Sequence, residues 1–282
     1  ITFYSKVLIM KRSIEIAVIS DVHLGTYGCH AEQLLQYLRH IQPKILVING
    51  DFIDTWQFRK KYFPIEHMEV INQVMKMSVL GTKVYYITGN HDDVLRRFSD
   101  SVAGNIYLMD KLVLNIAGKN YWIFHGDIFD FSIIETPWLA KMEGKGYDLL
   151  IRINRLINNW RKFFGKGEWS FASEVKNGFK RALKFISDFE KKAIEIAAEK
   201  GYDGVICGHI HIPVIRNEKV GEKTIVYMNS GDWIENLTSL EFNFGHLRLL
   251  KYDVNDYLII NKRLKVPRKD INKIKVDHHV YV

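Results

Sequence analysis

Cysteine is almost missing from this chain of 282 residues: Cys29 and Cys207 are the only two. Two thiols exclude a disulfide framework. With Cys207 inside the apolar run Gly204-Val205-Ile206-Cys207, they read as reduced thiols in a cytosolic protein. No apolar run approaches the ~18 residues of a membrane span, and the start of the chain lacks a secretory signal pattern. The first methionine is Met10, which leaves residues 1–9 as a candidate upstream extension. Internal repeats and low-complexity tracts are absent as well. What is there in quantity is apolar: 47% of residues are hydrophobic, ample for one large domain or two modest ones.

Charge is present but uneven. The formal net charge is +8. Between Ile133 and Lys200, 14 Lys and Arg stand against 9 Asp and Glu, and from Lys251 to Val282 the balance is 8 against 4. The rest of the chain is therefore close to neutral. A patchy positive surface suits an anionic partner such as nucleic acid, an acidic membrane or a phosphorylated substrate. For the tail after Val266-Pro267 alone, a solvated basic surface is the expectation.

Five blocks repeat one design, an apolar run that stops at a short polar turn. Ile14 to Ile19 leads into Asp21-Val22-His23, and Ile45 to Ile48 into Gly50-Asp51-Phe52-Ile53-Asp54. Val84 to Ile87 leads into Gly89-Asn90-His91-Asp92, and Tyr121 to Phe124 into His125-Gly126-Asp127. Last, Gly204 to Cys207 leads into Gly208-His209-Ile210-His211. In extended chain, residues two apart point the same way, so His209 and His211 can face one site. Strand ends feeding polar loops are where an α/β scaffold presents its chemistry. Helical patterns over His30 to His40 and Pro64 to Leu80 alternate with the first strands. Strands are expected near Thr224 to Met228, Leu237 to Phe242 and His246 to Tyr252. Hairpins are expected at Gly118-Lys119-Asn120 and Asn243-Phe244-Gly245.

In order, D-x-H, G-D-x-x-D, G-N-H-D, H and G-H-x-H, the blocks resemble the calcineurin-like metallophosphoesterases over about residues 14–250. The resemblance implies an α/β fold, a four-layer αββα sandwich, with a helical cap insertion. Its division is a core of residues 10–132 with 201–255, a cap over 133–200 and a peripheral basic tail over 256–282. It implies two divalent metal ions, about 3.5–4 Å apart, as such hydrolases use. Asp51 is the candidate bridge between them. Asp21, His23 and His211 are implied on one ion, and Asn90, His125 and His209 on the other. Mixed imidazole, carboxylate and amide ligands suit Mn²⁺, with Fe or Zn²⁺ as alternatives, better than Ca²⁺ or Mg²⁺. His91 is implied over the phosphoryl group, as charge stabiliser or general acid, with Asp54 orienting it.

The segment 133–200 carries Trp138, Tyr147, Trp160, Phe163, Phe164 and Trp169 among basic residues, an amphipathic pattern suited to capping an active site. With the Asp-Val-His-Leu-Gly opening, it makes the chain similar to the UDP-2,3-diacylglucosamine hydrolases. Those enzymes split a pyrophosphate to UMP and 2,3-diacylglucosamine 1-phosphate in lipid A biosynthesis. Ser173, Asn177 and Lys180, at i, i+4 and i+7 on one helix face, match that family's head-group contacts, beside Asn90 and His91. The implied partners are a nucleotide-linked acylated sugar and an anionic membrane surface, with no nucleic acid. The implied location is cytoplasmic, peripheral on the inner membrane. The chain departs from that family in having His91 where the family has arginine, and in Asn229-Ser230-Gly231-Asp232-Trp233-Ile234-Glu235. The latter is expected to be a turn with a packed tryptophan, with Asp232 and Trp233 lining the site as the alternative. Asp127 and Asp130 are the candidates for the sugar contact. The alternatives are a phosphomonoesterase, phosphodiesterase or nuclease of the same fold, or a non-catalytic scaffold.

Overall fold

The computed structural model describes residues 11–60, 62–129, 171–253, 259–265 and 275–277, with side chains described outside 58–60, 171–182, 259–265 and 275–277. The chain divides into two compact units, Ile1–Phe129 with Ala193–Val282, and Asp130–Lys192.

The first unit is built on two sheets. One runs in the order β13-β12-β11-β1-β2-β3-β5-β4. Its strands are β1 (Arg12–Ile19), β2 (Ile41–Asn49), β3 (Lys83–Ile87), β4 (Ser101–Ala103), β5 (Ile106–Met109), β11 (Thr238–Asn243), β12 (His246–Lys251) and β13 (Ile259–Lys265). The other runs β14-β6-β7-β8-β10-β9. It is made from β6 (Lys111–Ile116), β7 (Lys119–Phe124), β8 (Gly204–Cys207), β9 (Val214–Val220), β10 (Lys223–Asn229) and β14 (Lys275–Asp277).

The apolar runs form strands because both of their faces are covered, which is why they read as continuous rather than alternating. In β2, Ile45 and Val47 enter a core shared with Leu112, Leu114, Ile123 and Met228 of the second sheet. Leu46 and Ile48 face the other way, onto helices α1 (Ala31–His40) and α2 (Ile65–Val79), through Leu34, Leu38, Val70 and Val74. Helix α1 carries Glu32 in its first turn and Arg39 and His40 in its last, the charge order that its dipole favours. The C-terminal turn of α3 (Phe171–Glu199) belongs to this unit and is tied to β10, where Lys223 Nζ donates to the Ala198 carbonyl at 2.9 Å. Helices, sheet and sheet, with this turn on the second sheet, give the layered α/β architecture.

Two strands absent from the sequence reading have a physical reason to be hard to see there. Strand β4 is exposed throughout and β9 alternates apolar with charged residues, so neither carries a buried run to announce it. In the tail, expected to be peripheral, residues 259–265 pair with β12 and 275–277 with β6, adding an edge strand to each sheet. Of the segment expected to be the cap, residues 133–170 lie outside the described residues.

Topology positions the chemistry. Strands β1, β2, β3 and β5 are mutually parallel, as are β7, β8 and β10. Every parallel strand therefore ends at the same edge of its sheet, and five of these ends feed the five polar blocks.

Candidate metal centre

Backbone hydrogen bonds knit the five loops before any side chain is considered. Asp21 N donates to the Gly50 carbonyl at 3.1 Å, and His23 N to the Asp51 carbonyl at 2.8 Å. Gly208 N donates to the His125 carbonyl at 2.9 Å, bringing the last block against the fourth. Asp21, His23, Asp51, His209 and His211 all take left-handed backbone conformations, with φ between 51° and 66°. Each such residue costs about 1–3 kcal/mol and persists only where its surroundings impose it, a pattern concentrated at functional sites.

Glycine serves close approach here. Gly50 has φ +80°, and a Cβ on it would lie 2.2 Å from the His125 ring. A Cβ on Gly89 would lie 2.2 Å from Asp51 Oδ1. The glycines of G-D and G-N-H-D are thus what lets His125 and Asp51 reach the centre.

The side chains converge as three overlapping groups, Asp21/His23/His211, His23/Asp51/His91 and Asp51/His125/His209, with potential ligand atoms within 4.8 Å of one another in each. Asp51 Oδ2 lies 3.7 Å from His23 Nε2 and 3.3 Å from His125 Nε2, while His211 Nε2 lies 3.2 Å from Asp21 Oδ1. Six of the seven expected ligands meet in these groups. The seventh, Asn90, has a buried Oδ1 with no hydrogen-bond partner.

Those residues fit a pair of divalent cations. His125 Nδ1 is 2.9 Å from the Asn49 carbonyl, which can only accept, so Nδ1 carries the proton. The Nε2 lone pair of the neutral ring then points at the Asp51 carboxylate. Neither His125 Nε2 nor His23 Nε2 makes a hydrogen bond, though both are buried. Lone pairs facing a carboxylate need a positive species between them. Burial disfavours charge on His125, but Asp51 outweighs it and holds the imidazole up at about 10. Likewise burial disfavours charge on His211, and Asp21 raises it to about 9. Protons satisfy these sites one at a time, whereas a divalent cation satisfies several donors at once.

His91 belongs to the second of the three groups and has further partners of its own. Its backbone N–H donates to Asp51 Oδ1 at 2.8 Å, and its Nδ1 lies 3.2 Å from Asp54 Oδ2. The Trp56 ring lies against it with centroids 4.2 Å apart, and the side chain is 23% exposed. Although burial opposes the charged form, Asp54 and Asp51 raise its pKa. A half-open imidazole with a raised pKa, oriented by a buried carboxylate, can donate a proton or hydrogen-bond to an anionic oxygen.

Three contributors have no role in the sequence reading, and a fourth, Asp232, figures there only as a candidate to line the site. Asn49 sets the His125 tautomer through its carbonyl, and its amide donates to the Phe124 carbonyl at 3.1 Å. Asp92 is buried and accepts from Gly89 N, Phe52 N and Tyr86 Oη at 2.6, 2.9 and 2.7 Å, clamping two blocks together. Trp56 packs on His91, and Asp232 Oδ2 lies 3.7 Å from His211 Nδ1. Asp92 sat inside a quoted block, yet nothing in the sequence shows which donors a carboxylate will meet. The turn at Asp232 does hold a fully buried Trp233. Asp127 is taken up by Arg96, whose Nη2 donates to it at 2.7 Å, and Asp130 lies outside the described residues. Ser173, Asn177 and Lys180 fall on the helical backbone of α3, in its second-unit part, and their side chains lie outside the described residues.

Known proteins are similar to this chain at the level of family. The family described as calcineurin-like phosphoesterase matches residues 14–213. A UDP-2,3-diacylglucosamine hydrolase of Stenotrophomonas maltophilia is 26% identical over 234 residues, covering 80% of this chain and 94% of that protein. The protein of the same name from Photorhabdus laumondii is 25% identical over 228 residues, covering 76% and 89%. Among solved structures, Vps29 of Entamoeba histolytica aligns over 89% of this chain and 99% of that one, at 14% identity and a TM-score of 0.41.

Proposed function

The chain belongs to the calcineurin-like phosphoesterase family, and from that premise we propose that it hydrolyses the pyrophosphate bond of UDP-2,3-diacylglucosamine, giving UMP and 2,3-diacylglucosamine 1-phosphate. It is a metal-dependent phosphoesterase. The observation that carries the substrate is that curated relatives matching it over nearly their whole length bear that name.

Two divalent ions, Mn²⁺ by the mixed ligand set, would neutralise phosphoryl charge and activate water when bound. Asp21, His23 and His211 would hold one and Asn90, His125 and His209 the other, with Asp51 shared. Asn49 and Asp232 orient the ligand imidazoles, as outer partners of metal-binding histidines commonly do. His91 supplies a proton, or a hydrogen bond, to the oxygen that leaves, with Asp54 and Trp56 fixing its ring plane. Asp92 keeps the His91 loop seated against the Asp51 loop, so that the Asp51 carboxylate and the imidazole stay in register.

The aromatic, basic segment 133–200 is assigned as the cap on its sequence pattern, with Ser173, Asn177 and Lys180 towards the head group. Lipid substrate and basic surface together favour work at the cytosolic face of an anionic membrane. No helix among the described residues is long and apolar enough to cross one. UMP release from UDP-2,3-diacylglucosamine, set against hydrolysis of bis-p-nitrophenyl phosphate, tests the reading. Release of UMP is expected; turnover of the second compound with none of the first would reassign the chain to small phosphodiesters, in keeping with its histidine at position 91.

A further inference from the structure

Beside the metal centre, and wholly within the first unit, lies a cavity of ≈ 350 Å³ to which the proposed reaction gives no role. That size is at the lower end for small-molecule sites. Its walls are Trp122 and Phe124 from β7, Ile128, and Ile196 and Tyr202 at the end of α3. Trp122 stacks on Phe124 with centroids 4.0 Å apart, and Tyr202 continues the stack at 6.2 Å from Trp122. Lys111 and Lys200 also line it, together with Arg96, Asp110 and Asp127. Neither lysine is within ion-pair distance of a carboxylate among the described residues. Burial and the like charge of Lys200 lower the Lys111 pKa, against Asp110, which raises it. The nearby Arg96 is occupied with Asp127 at 2.7 Å.

Trp122, only 6% exposed, is packed into this wall. Apolar walls with Lys111 and Lys200 at hand complement an apolar chain with an anionic oxygen head.

We propose that this cavity binds a single acyl chain carrying an anionic head, with the chain against Trp122, Phe124, Ile128, Ile196 and Tyr202 and the head at Lys111 and Lys200. The site stands on its own residues, whatever the substrate of the metal centre. A free fatty acid and an acyl arm of a larger anionic lipid present the same chemistry.

Calorimetric titration of dodecanoate, below its micellar concentration, into the metal-loaded protein tests this. Saturating inorganic phosphate is added in a parallel titration to occupy the metal centre. One dodecanoate per chain is expected, with a Kd unmoved by phosphate and no measurable binding of butyrate or of dodecanol. Replacing both lysines (Lys111→Gln with Lys200→Gln) should weaken binding at least about tenfold, the scale of a charge-assisted hydrogen bond, with hydrolysis of bis-p-nitrophenyl phosphate unchanged. Ile196→Trp, which fills the cavity, should abolish binding. Displacement by phosphate, equal binding of dodecanol, or an affinity untouched by either variant would each overturn the proposal. Competitive inhibition of turnover by dodecanoate would name a substrate arm as the source, and non-competitive inhibition a free fatty acid.

Discussion

Asp51 concentrates the chemistry of this protein in one side chain. Its backbone is left-handed at φ 52°, its Oδ1 accepts the His91 N–H, and its Oδ2 faces His23 and His125. Burial alone would raise its pKa, yet His125, His23 and His91 together push it well below the ordinary carboxylate range. It is therefore an anion at any working pH, as a ligand shared by two cations must be. His91 is the complementary case, a member of the His23/Asp51/His91 group whose Nδ1 lies 3.2 Å from Asp54 Oδ2. His91→Ala should lower kcat by about 10²–10⁴-fold, the usual worth of a general acid, while metal analysis still finds two ions per chain. Loss of metal in that variant would move His91 into the ligand set.

At the scale of the element, the repeating unit is a buried parallel strand that stops at a tight, strained turn. The strand supplies rigidity and the turn supplies direction. Gly50 shows how narrow the tolerance is, since it combines φ +80° with a His125 ring where a Cβ would sit. Gly50→Ala should destabilise the fold by about 1–3 kcal/mol, from backbone strain alone. It should also weaken metal binding, because the His125 imidazole must retreat. Thermal unfolding with and without added Mn²⁺ separates the two effects: the variant should lose most of the metal-dependent rise in Tm. Gly81, equally left-handed at φ +101° but with nothing within 4 Å of a built Cβ, should show the strain without the metal defect.

Across the whole molecule, Glu241 shows how the first sheet is held. It is fully buried on β11 and accepts from Arg12 Nη2 on β1 at 2.9 Å, from Arg248 Nε on β12 at 2.9 Å and from Tyr37 Oη on α1 at 3.1 Å. Burial raises its pKa, but the two guanidinium groups outweigh this and leave it lowered from 4.5. A carboxyl depressed in the folded state contributes stability above its unfolded pKa, and that contribution is lost as pH falls through the folded value. Urea midpoints should therefore drop on going below pH 4. Glu241→Gln should cost about 3 kcal/mol at pH 7 and flatten that acid limb. The candidate metal centre would be a second whole-molecule tie, since the residues proposed to hold the ions follow strands of both sheets. Chelation should lower Tm, and free metal at 100 times Kd should restore about 2.7 kcal/mol.

The five blocks were legible in the sequence because each is local: an apolar run, a glycine, then ligand-type side chains within a few residues of one another. Helices α1 and α2 and the central strands were legible for the same reason, through the period of their buried faces. Strands β4, β9, β13 and β14 were not, because edge strands bury too little to leave a pattern, and neither was β5, four residues of which only Met109 is buried. Nor were Asn49, Asp92 and Trp56 as supports of the centre. Their roles depend on partners as far off in sequence as Asp92 is from Phe52 or Asn49 from His125, 40 and 76 residues away. Composition and local order thus determine which groups this chain can bring to a reaction. Which lone pair faces which carboxylate is decided only when two sheets close on one another, since hydrogen-bond direction and burial are properties of the assembled fold.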